Sequence, residues 1–332
     1  MNLVQRAVSN GGKLVPLVIP EGASSGLMNP SIFTDNDGDL LVNLRHINYT
    51  LYHAENTQRF PTIWGPLAYL HPESDLTLRT TNYLCKLNQD LEITNYTKVD
   101  TSALDVPPMW EFHGEEDCRL VQWEGDYYLI GVRRDTTTHG EGRMEYSKIT
   151  LDKDNWTAKE VQRVRIPAPD PNTSYCEKNW MPVIDKPYHF VKWTMPTELV
   201  KTDPNKEVCE TVFIKQTPSI THDQRGGSQV IRWGSMYIAF THEVDLFHNY
   251  LGQKDAFYRH RLIMWDEQFN FAGASTPFTF LDARVEFCVG ATVHNGDLLL
   301  TFGFQDNAAF VLQVPKLVVE DLIVEALSYD SV

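Results

Sequence analysis

The 332-residue sequence contains no run of about 18 apolar residues, so we expect no membrane-spanning helix. Its first residues lack a charged segment followed by a long apolar stretch, which argues against a secretory leader and for a cytoplasmic location. Basic residues are few: 29 Lys and Arg stand against 44 Asp and Glu, giving a formal net charge of −15. Because non-specific nucleic-acid binding needs a dense positive surface, a nucleic acid is not the expected partner.

Cysteine is scarce, and the signatures of common cofactor sites are missing. The five cysteines form no C-x-x-C pair, so we expect free thiols rather than a disulfide framework or a thiolate metal site. The sequence also has no H-E-x-x-H pair, no P-loop and no dinucleotide-binding fingerprint. We therefore expect neither a metal nor an organic cofactor, so any chemistry has to come from side chains and a co-substrate.

Long amphipathic helical patterns are missing too, and a short turn-and-strand pattern recurs instead. Five turns rich in Gly, Asp, Asn or Pro each precede an apolar run, and they lie at residues 36–39, 124–126, 185–187, 233–235 and 295–297. A second set of apolar segments, each ending in a polar turn, alternates with the first. This pattern favours an all-β, five-bladed β-propeller that occupies residues 1–332 as a single domain, with a two-sheet β-sandwich as the alternative. Residues 317–327 suit either a short helix or the strand that closes the ring.

Charged and polar residues cluster at the ends of the predicted inner strands. In a propeller these ends converge on one mouth of the central channel, so we expect the functional site there. The candidates for binding substrate are Asn29, Arg45, Asn48, Glu116, Arg119, Asp135, Glu177, Asn179, Glu243, Glu286 and Asp306.

Several of these clusters follow the order seen in one known family. The chain carries, in sequence, Glu116-Asp117-x-Arg119, Lys178-Asn179 before Pro182, His242, and Gly303-Phe304-Gln305-Asp306. This ordered set resembles the mannoside phosphorylases and mannosidases of glycoside hydrolase family 130, over about residues 29–310. Other details, such as residues 225–229, resemble a divergent branch of glycosyltransferases on the same propeller.

The resemblance implies an inverting enzyme for a small carbohydrate, with Asp117 as the general acid acting through a sugar hydroxyl. It also implies that cationic and polar residues hold phosphate, either inorganic or within a sugar phosphate or nucleotide sugar. Lys178 and His242 match the family best in that role. The full set of phosphate candidates is Arg134, Lys178, Arg225, His242, Tyr258 and Arg259.

The residues around Asp117 leave its role open. On a regular strand Glu116 and Asp117 face opposite sides, so we expect only one of them to point into the channel. Arg119 should share the face of Asp117, and an arginine beside a carboxylate lowers its pKa. That arrangement suits a carboxylate that orients a hydroxyl better than an acid, unless burial raises the pKa again.

The first predicted strand argues against simple hydrolysis. Related propeller hydrolases that act on fructosides and arabinosides carry an aspartate where this chain has Asn29, before Pro30. An asparagine cannot take a proton from water, and inverting hydrolysis needs a carboxylate to do so. Glu177, Glu243 and Glu286 remain candidates for that base.

Three hypotheses therefore stand. The first is an inverting carbohydrate-active enzyme, either a phosphorylase or hydrolase or a glycosyltransferase that uses an activated donor. The second is a propeller that binds a carbohydrate or a partner without catalysis. The third is a glycosyltransferase that modifies nucleic acid, which the net charge opposes unless a basic patch forms at one mouth of the channel from Arg133, Arg134, Arg225, Arg259 and Arg261. We expect Trp110 or Trp180 to provide an aromatic platform for sugar. The oligomeric state stays open, with a homo-oligomer as one option.

Overall fold

A computed structural model describes residues 1–20, 26–50, 59–62, 65–69, 78–168, 175–219, 224–248 and 254–328. In these ranges the chain is all-β, as expected, with 24 strands and two short helices. Neither helix has the length and apolar character needed to span a bilayer. All five cysteines are free thiols, as the missing C-x-x-C spacing predicts.

Most strands belong to five four-stranded antiparallel units, and units one and two share one nine-stranded sheet because residues 158–159 pair in parallel with residues 99–100. After helix α1 (Leu3–Ser9) and strand β1 (Lys13–Pro16), unit one and its insertion contain β2 (Leu27–Thr34), β3 (Leu40–Ile47), β4 (Tyr49–Thr50), β5 (Arg59–Thr62), β6 (Gly65–Tyr69), β7 (Leu78–Leu87) and β8 (Ile93–Asp100). Strands β4, β6 and β5 form a separate small sheet, so unit one itself is β2-β3-β7-β8.

The next two units follow the same plan. A short strand, β9 (Phe112–His113), pairs with β7, and unit two then contains β10 (Glu115–Trp123), β11 (Asp126–Arg133), β12 (Arg143–Asp152) and β13 (Thr157–Arg165). Unit three contains β14 (Met181–Pro182), β15 (His189–Thr194), β16 (Thr197–Asp203) and β17 (Val208–Lys215).

The last two units complete the chain. Unit four contains β18 (Ile231–Trp233), β19 (Met236–His248), β20 (Lys254–Trp265) and β21 (Phe271–Ala274), and unit five contains β22 (Glu286–His294), β23 (Asp297–Phe304) and β24 (Ala308–Val314) before helix α2 (Lys316–Ser328). The fourth strand of unit five is β1, which pairs with β24. The segment 317–327 is therefore helical, and the N-terminal strand completes the last unit instead.

The five sequence turns each precede the second strand of a unit, namely β3, β11, β15, β19 and β23. These strands read as nearly continuous apolar runs because both of their faces are covered. The outermost strands β8 and β17 are mostly exposed. Burial thus falls from the second strand to the last strand in units one and three, and in unit one the last strand also pairs with β13 of unit two.

Apolar side chains pack between successive units rather than within one central core. Phe33 of unit one packs with Leu129 of unit two, and corresponding clusters join unit two to three, three to four and four to five. A fifth cluster, which includes Ile32 and Val311, joins unit five back to unit one. Every unit therefore has two packed neighbours, and burial of these faces supplies most of the driving force for folding.

The side-chain amide of Gln229 ties the inner edges of four units together. Its Nε2 lies 3.0 Å from the Ser31 hydroxyl, 3.0 Å from the Ile32 carbonyl and 2.8 Å from the Leu120 carbonyl. Its Oε1 accepts a 2.9 Å hydrogen bond from the backbone N–H of Ala291. Gln229 is fully buried, so these partners replace water for groups in strands β2, β10 and β22.

We predict that Gln229→Ala lowers the free energy of unfolding by about 3 kcal/mol or more, since each buried polar group left unpaired costs about 1–3 kcal/mol. Urea denaturation followed by tryptophan fluorescence measures the change. Gln268→Ala, at an exposed turn, is the matched control and should alter stability by less than about 0.5 kcal/mol. Equal unfolding midpoints for the two variants would show that Gln229 does not hold the units together.

Candidate active site

A cavity of about 230 Å³ lies where side chains from all five units meet. Most of the sequence-predicted residues line it, namely Asn29, Arg45, Glu116, Asp117, Arg134, Lys178, Asn179, Arg225, His242, Tyr258 and Asp306. Asp117 therefore shares one cavity with Lys178 and His242, although these residues are far apart in sequence.

Left-handed backbone conformations set the direction of several of these side chains. Asn29, Asp117, Asn179 and Asp306 have φ angles of 44°, 52°, 62° and 52°. Asn and Asp adopt this region more readily than most residues, which explains the residue types at these positions. At Asp117 the left-handed residue falls within a β-bulge that shifts the β10–β11 register between Glu116 and Arg119.

The bulge corrects one sequence-based expectation. Strict alternation predicted that only one of Glu116 and Asp117 would face the site, but both line the cavity. A bulge places an extra residue on one strand and breaks the two-residue period locally. A similar register shift occurs near Asn29, between Met28 and Ser31.

Close packing explains two of the glycine-containing motifs. A Cβ on Gly303 would overlap the side-chain oxygen of Asn29, so the glycine of the Gly303-to-Asp306 motif makes room for a cavity residue. A Cβ on Gly226 would overlap the carbonyl oxygen of Asn179. These glycines allow neighbouring units to approach the cavity closely.

Asp117 is held as a carboxylate. Its Oδ1 accepts hydrogen bonds of 2.7 Å from Asn29 Nδ2 and 2.7 Å from Arg45 Nη1. Burial raises the pKa of Asp117, but the charge of Arg45, the Asn29 hydrogen bond and the charges of Arg119 and Lys178 outweigh it, so the pKa lies below its ordinary value.

The arginine that contacts this carboxylate was not the expected one. Arg119 is buried and donates from Nη1 to the backbone oxygen of Asp117 at 2.7 Å and from Nε to that of Gly227 at 2.8 Å. It therefore positions the bulge, whereas Arg45 from unit one pairs with the carboxylate and also lies 3.3 Å from Glu116.

Asp306 differs from Asp117 in that its pKa is raised rather than lowered. It lines the same cavity, but the described residues provide it with no hydrogen-bond donor. Burial raises its pKa to about 6; Arg45 opposes the rise, and the charges of Asp117 and Glu116 add to it. The cavity thus combines an ionised carboxylate with a carboxyl group that titrates close to neutral pH.

Lys178, Arg225 and Arg134 bring positive charge to the cavity, while His242 contributes a neutral ring. Burial, together with nearby His260, Arg225, Arg119 and Lys178, holds the pKa of His242 well below its ordinary value. Its Nδ1 has no hydrogen-bond partner within the described residues. His242 can therefore offer a hydrogen bond to an anion, but no charge.

Three predicted carboxylates lie outside the lining and are occupied elsewhere. Glu286 accepts hydrogen bonds from the backbone N–H groups of Phe280 and Leu281, both at 2.7 Å. Glu177 accepts a 3.0 Å bond from the indole of Trp180, and Glu243 pairs with Arg259 at 2.6 Å.

The remaining predicted residues serve neighbouring structure. Arg259 also pairs with Asp245 at 2.6 Å, and Asn48 accepts a 2.8 Å hydrogen bond from the backbone of Arg79. Asp135 accepts a 2.8 Å bond from Gly114 N and lines a second cavity of about 260 Å³ between units one and two. Contact of these residues with a substrate stays a prediction.

The aromatic lining was not recognised in the sequence. Tyr49, Phe112 and Phe287 line the cavity alongside Tyr258. Trp180 is 1 % exposed and packs in an aromatic cluster, so it offers no face to a sugar. The only sequence signal for the cavity aromatics is their position beside predicted polar residues, as for Phe287 after Glu286.

Comparison with known proteins rests on structure alone. Neither the family models nor the curated proteins include a match to this sequence. Among solved structures, a member of the glycoside hydrolase family 130 of mannoside phosphorylases, which contains hydrolases of β-1,2 mannosidic linkages in Candida mannan, matches 91% of this chain and 91% of its own, with 12% identity and a TM-score of 0.53.

The fold is that of glycoside hydrolase family 130. A β-1,2-mannobiose phosphorylase from Listeria innocua is 15% identical, with coverage of 95% of this chain and 94% of its own and a TM-score of 0.53. A GDP-mannose-dependent mannosyltransferase from Leishmania mexicana is 12% identical, with coverage of 91% and 89% and a TM-score of 0.53. At these identities the likeness concerns the fold, and it agrees with the family resemblance of the sequence motifs.

The raised pKa of Asp306 predicts a pH-dependent stability. The pKa is about 6 in the folded protein against an ordinary value of 3.8, so folding favours the protonated form. This stabilisation is complete below about pH 4 and is lost as the pH rises through about 6. Asp306→Asn removes the titration, so the variant should gain stability relative to wild type between pH 4 and pH 7. Urea denaturation across this range tests it, and a constant difference would contradict it.

Proposed function

We propose that the five units are the blades of a five-bladed β-propeller and that residues 1–332 form one domain. The support is the packing order, in which each unit contacts its two sequence neighbours and unit five contacts unit one. The amide of Gln229, which bonds to units one, two and five, fits a position near the axis of such a ring.

We propose that the protein is an inverting enzyme that cleaves or forms a glycosidic bond in a small carbohydrate. One observation carries this proposal: a single cavity contains the carboxyl groups of Glu116, Asp117 and Asp306 together with Lys178 and Arg225. Carboxyl groups bind sugar hydroxyls and move protons, while cations hold a phosphate group. The aromatic side chains on the same wall provide apolar surface for a sugar ring.

In this proposal Asp117 is the general acid or proton relay. Because Arg45 and Asn29 hold it ionised, it suits a relay that accepts the hydrogen bond of a sugar hydroxyl. Asp306, with a pKa of about 6, is the group best able to carry the proton that the leaving oxygen needs. Arg45 affects both groups, because its positive charge lowers the pKa of Asp117 and opposes the rise in the pKa of Asp306.

A phosphate group is the proposed co-substrate. Asn29 donates its amide hydrogen to Asp117, and Glu177, Glu243 and Glu286 are bound to other groups outside the cavity lining. The three glutamates that the sequence offered as the base for water are thus engaged outside the cavity. With Asp306 assigned to the leaving oxygen, this arrangement favours phosphate as the nucleophile over water. Lys178, Arg225 and Arg134, with the hydrogen-bonding groups of His242 and Tyr258, are the proposed phosphate ligands.

A glycosyltransferase is the second candidate. The same cations would hold the phosphates of an activated donor, and the similar Leishmania mexicana structure is a GDP-mannose-dependent mannosyltransferase. Incubating the protein with β-1,2-mannobiose and phosphate, and separately with GDP-mannose and mannose, distinguishes the two reactions. Sugar binding without turnover in either mixture would favour a carbohydrate-binding propeller.

We predict that Asp117→Asn lowers kcat at least about 100-fold in whichever reaction the wild type catalyses, because positioned proton transfer contributes about 10²–10⁴-fold. Release of mannose 1-phosphate or of GDP provides the assay. Asp154→Asn, at an exposed turn, is the matched control and should keep wild-type turnover. Wild-type turnover by Asp117→Asn would remove this residue from the mechanism.

A further inference from the structure

The cavity wall continues outward through Arg134 to an exposed aromatic ring. Arg134 lines the cavity, and its guanidinium carbon lies 5.5 Å from the ring centre of Tyr175. Its Nη2 is 3.3 Å from the Tyr175 hydroxyl oxygen, and its Nε donates to the carbonyl of Gly140 at 2.9 Å. The ring of Tyr175 is thus one guanidinium group away from the site.

Several contacts fix this ring in place. The Tyr175 hydroxyl donates a 2.8 Å hydrogen bond to the carbonyl of His139, and its backbone carbonyl accepts a 3.1 Å bond from Gly142. Gly140 packs so closely on Trp110 that a Cβ would overlap the indole. The segment that holds Tyr175 is therefore supported from behind by a tryptophan.

Tyr175 nevertheless remains 51% exposed. Trp193 is 47% exposed as well, and neither ring lines one of the two cavities described above, but Tyr175 contacts the lining residue Arg134. Single exposed apolar residues are common and need no explanation. What distinguishes Tyr175 is the combination of a fixed orientation, an exposed ring and direct contact with a cavity residue.

We propose that Tyr175 is a stacking platform for a second sugar unit, adjacent to the unit held in the cavity. This inference rests on the proposed carbohydrate function. A pyranose ring presents an apolar face of C–H groups that packs on an aromatic ring, and a platform that is already fixed loses little entropy on binding. Tyr175 therefore contributes to selection of the sugar unit beyond the bond that reacts.

The test compares matched sugars in an inactive background. Calorimetric titration of Asp117→Asn with mannose and β-1,2-mannobiose, and with glucose and cellobiose, gives the affinity gained from the second unit. Adding Tyr175→Ala should weaken disaccharide binding about fivefold or more and leave monosaccharide binding unchanged. Tyr175→Phe keeps the ring and should bind both sugars as the background does. Trp193→Ala is the control for loss of an exposed aromatic residue.

The possible results distinguish failure of the Tyr175 subsite from failure of the proposed carbohydrate function. If the background binds a disaccharide more tightly than its monosaccharide and Tyr175→Ala abolishes that difference, the subsite is supported. If Tyr175→Ala binds both sugars as the background does, the subsite is overturned while the carbohydrate function stands. If the wild type and the background bind none of the four sugars, the carbohydrate function fails and the subsite fails with it.

Discussion

The structure depends on the hydrogen bonds that Gln229 makes at the inner edges of its units. Strands β2, β10 and β22 reach this point from distant parts of the sequence, and Ser31 and Leu120 lie two and three residues beyond Asn29 and Asp117. The same amide group that joins the units therefore also fixes the backbone next to the cavity. Because a buried amide bonds well only in one orientation, it sets the relative register of the units as well as their association.

Residues with strained backbone conformations and charged side chains lie immediately beside the partners of Gln229. Asn29 and Asp117 adopt left-handed conformations, and they are linked by a 2.7 Å hydrogen bond between different units. Such conformations persist when surrounding contacts determine them, as the packing of Gly303 and the bonds from Arg119 do here. The stable inner edges of the units thus hold site residues in backbone conformations that cost free energy.

Local sequence signals revealed much of the fold but less of the site. The turns at residues 36–39 and 295–297 identified strands β3 and β23, because turn residues and apolar runs act over a few positions. The ordered polar motifs also identified most of the residues that meet at the cavity.

The site was predicted less well than the fold. The prediction that successive strand residues face opposite sides failed at Glu116 and Asp117, because a bulge depends on pairing with a neighbouring strand. The Arg45 partner of Asp117 was missed because it lies 72 residues away in another unit. The aromatic lining was missed because an aromatic residue beside a strand end looks the same whether it faces the core or a cavity.

The pairing of β1 with β24 has a consequence for how the protein folds. Lys13 lies opposite Gln313, so this strand pair forms between segments that are 300 residues apart in sequence. Until the two strands meet, one edge of β24 lacks its partner, and unpaired strand edges favour association with other chains. Closure of unit five therefore depends on a contact of high sequence separation, which forms slowly because the entropy cost of closing a long loop must be overcome first.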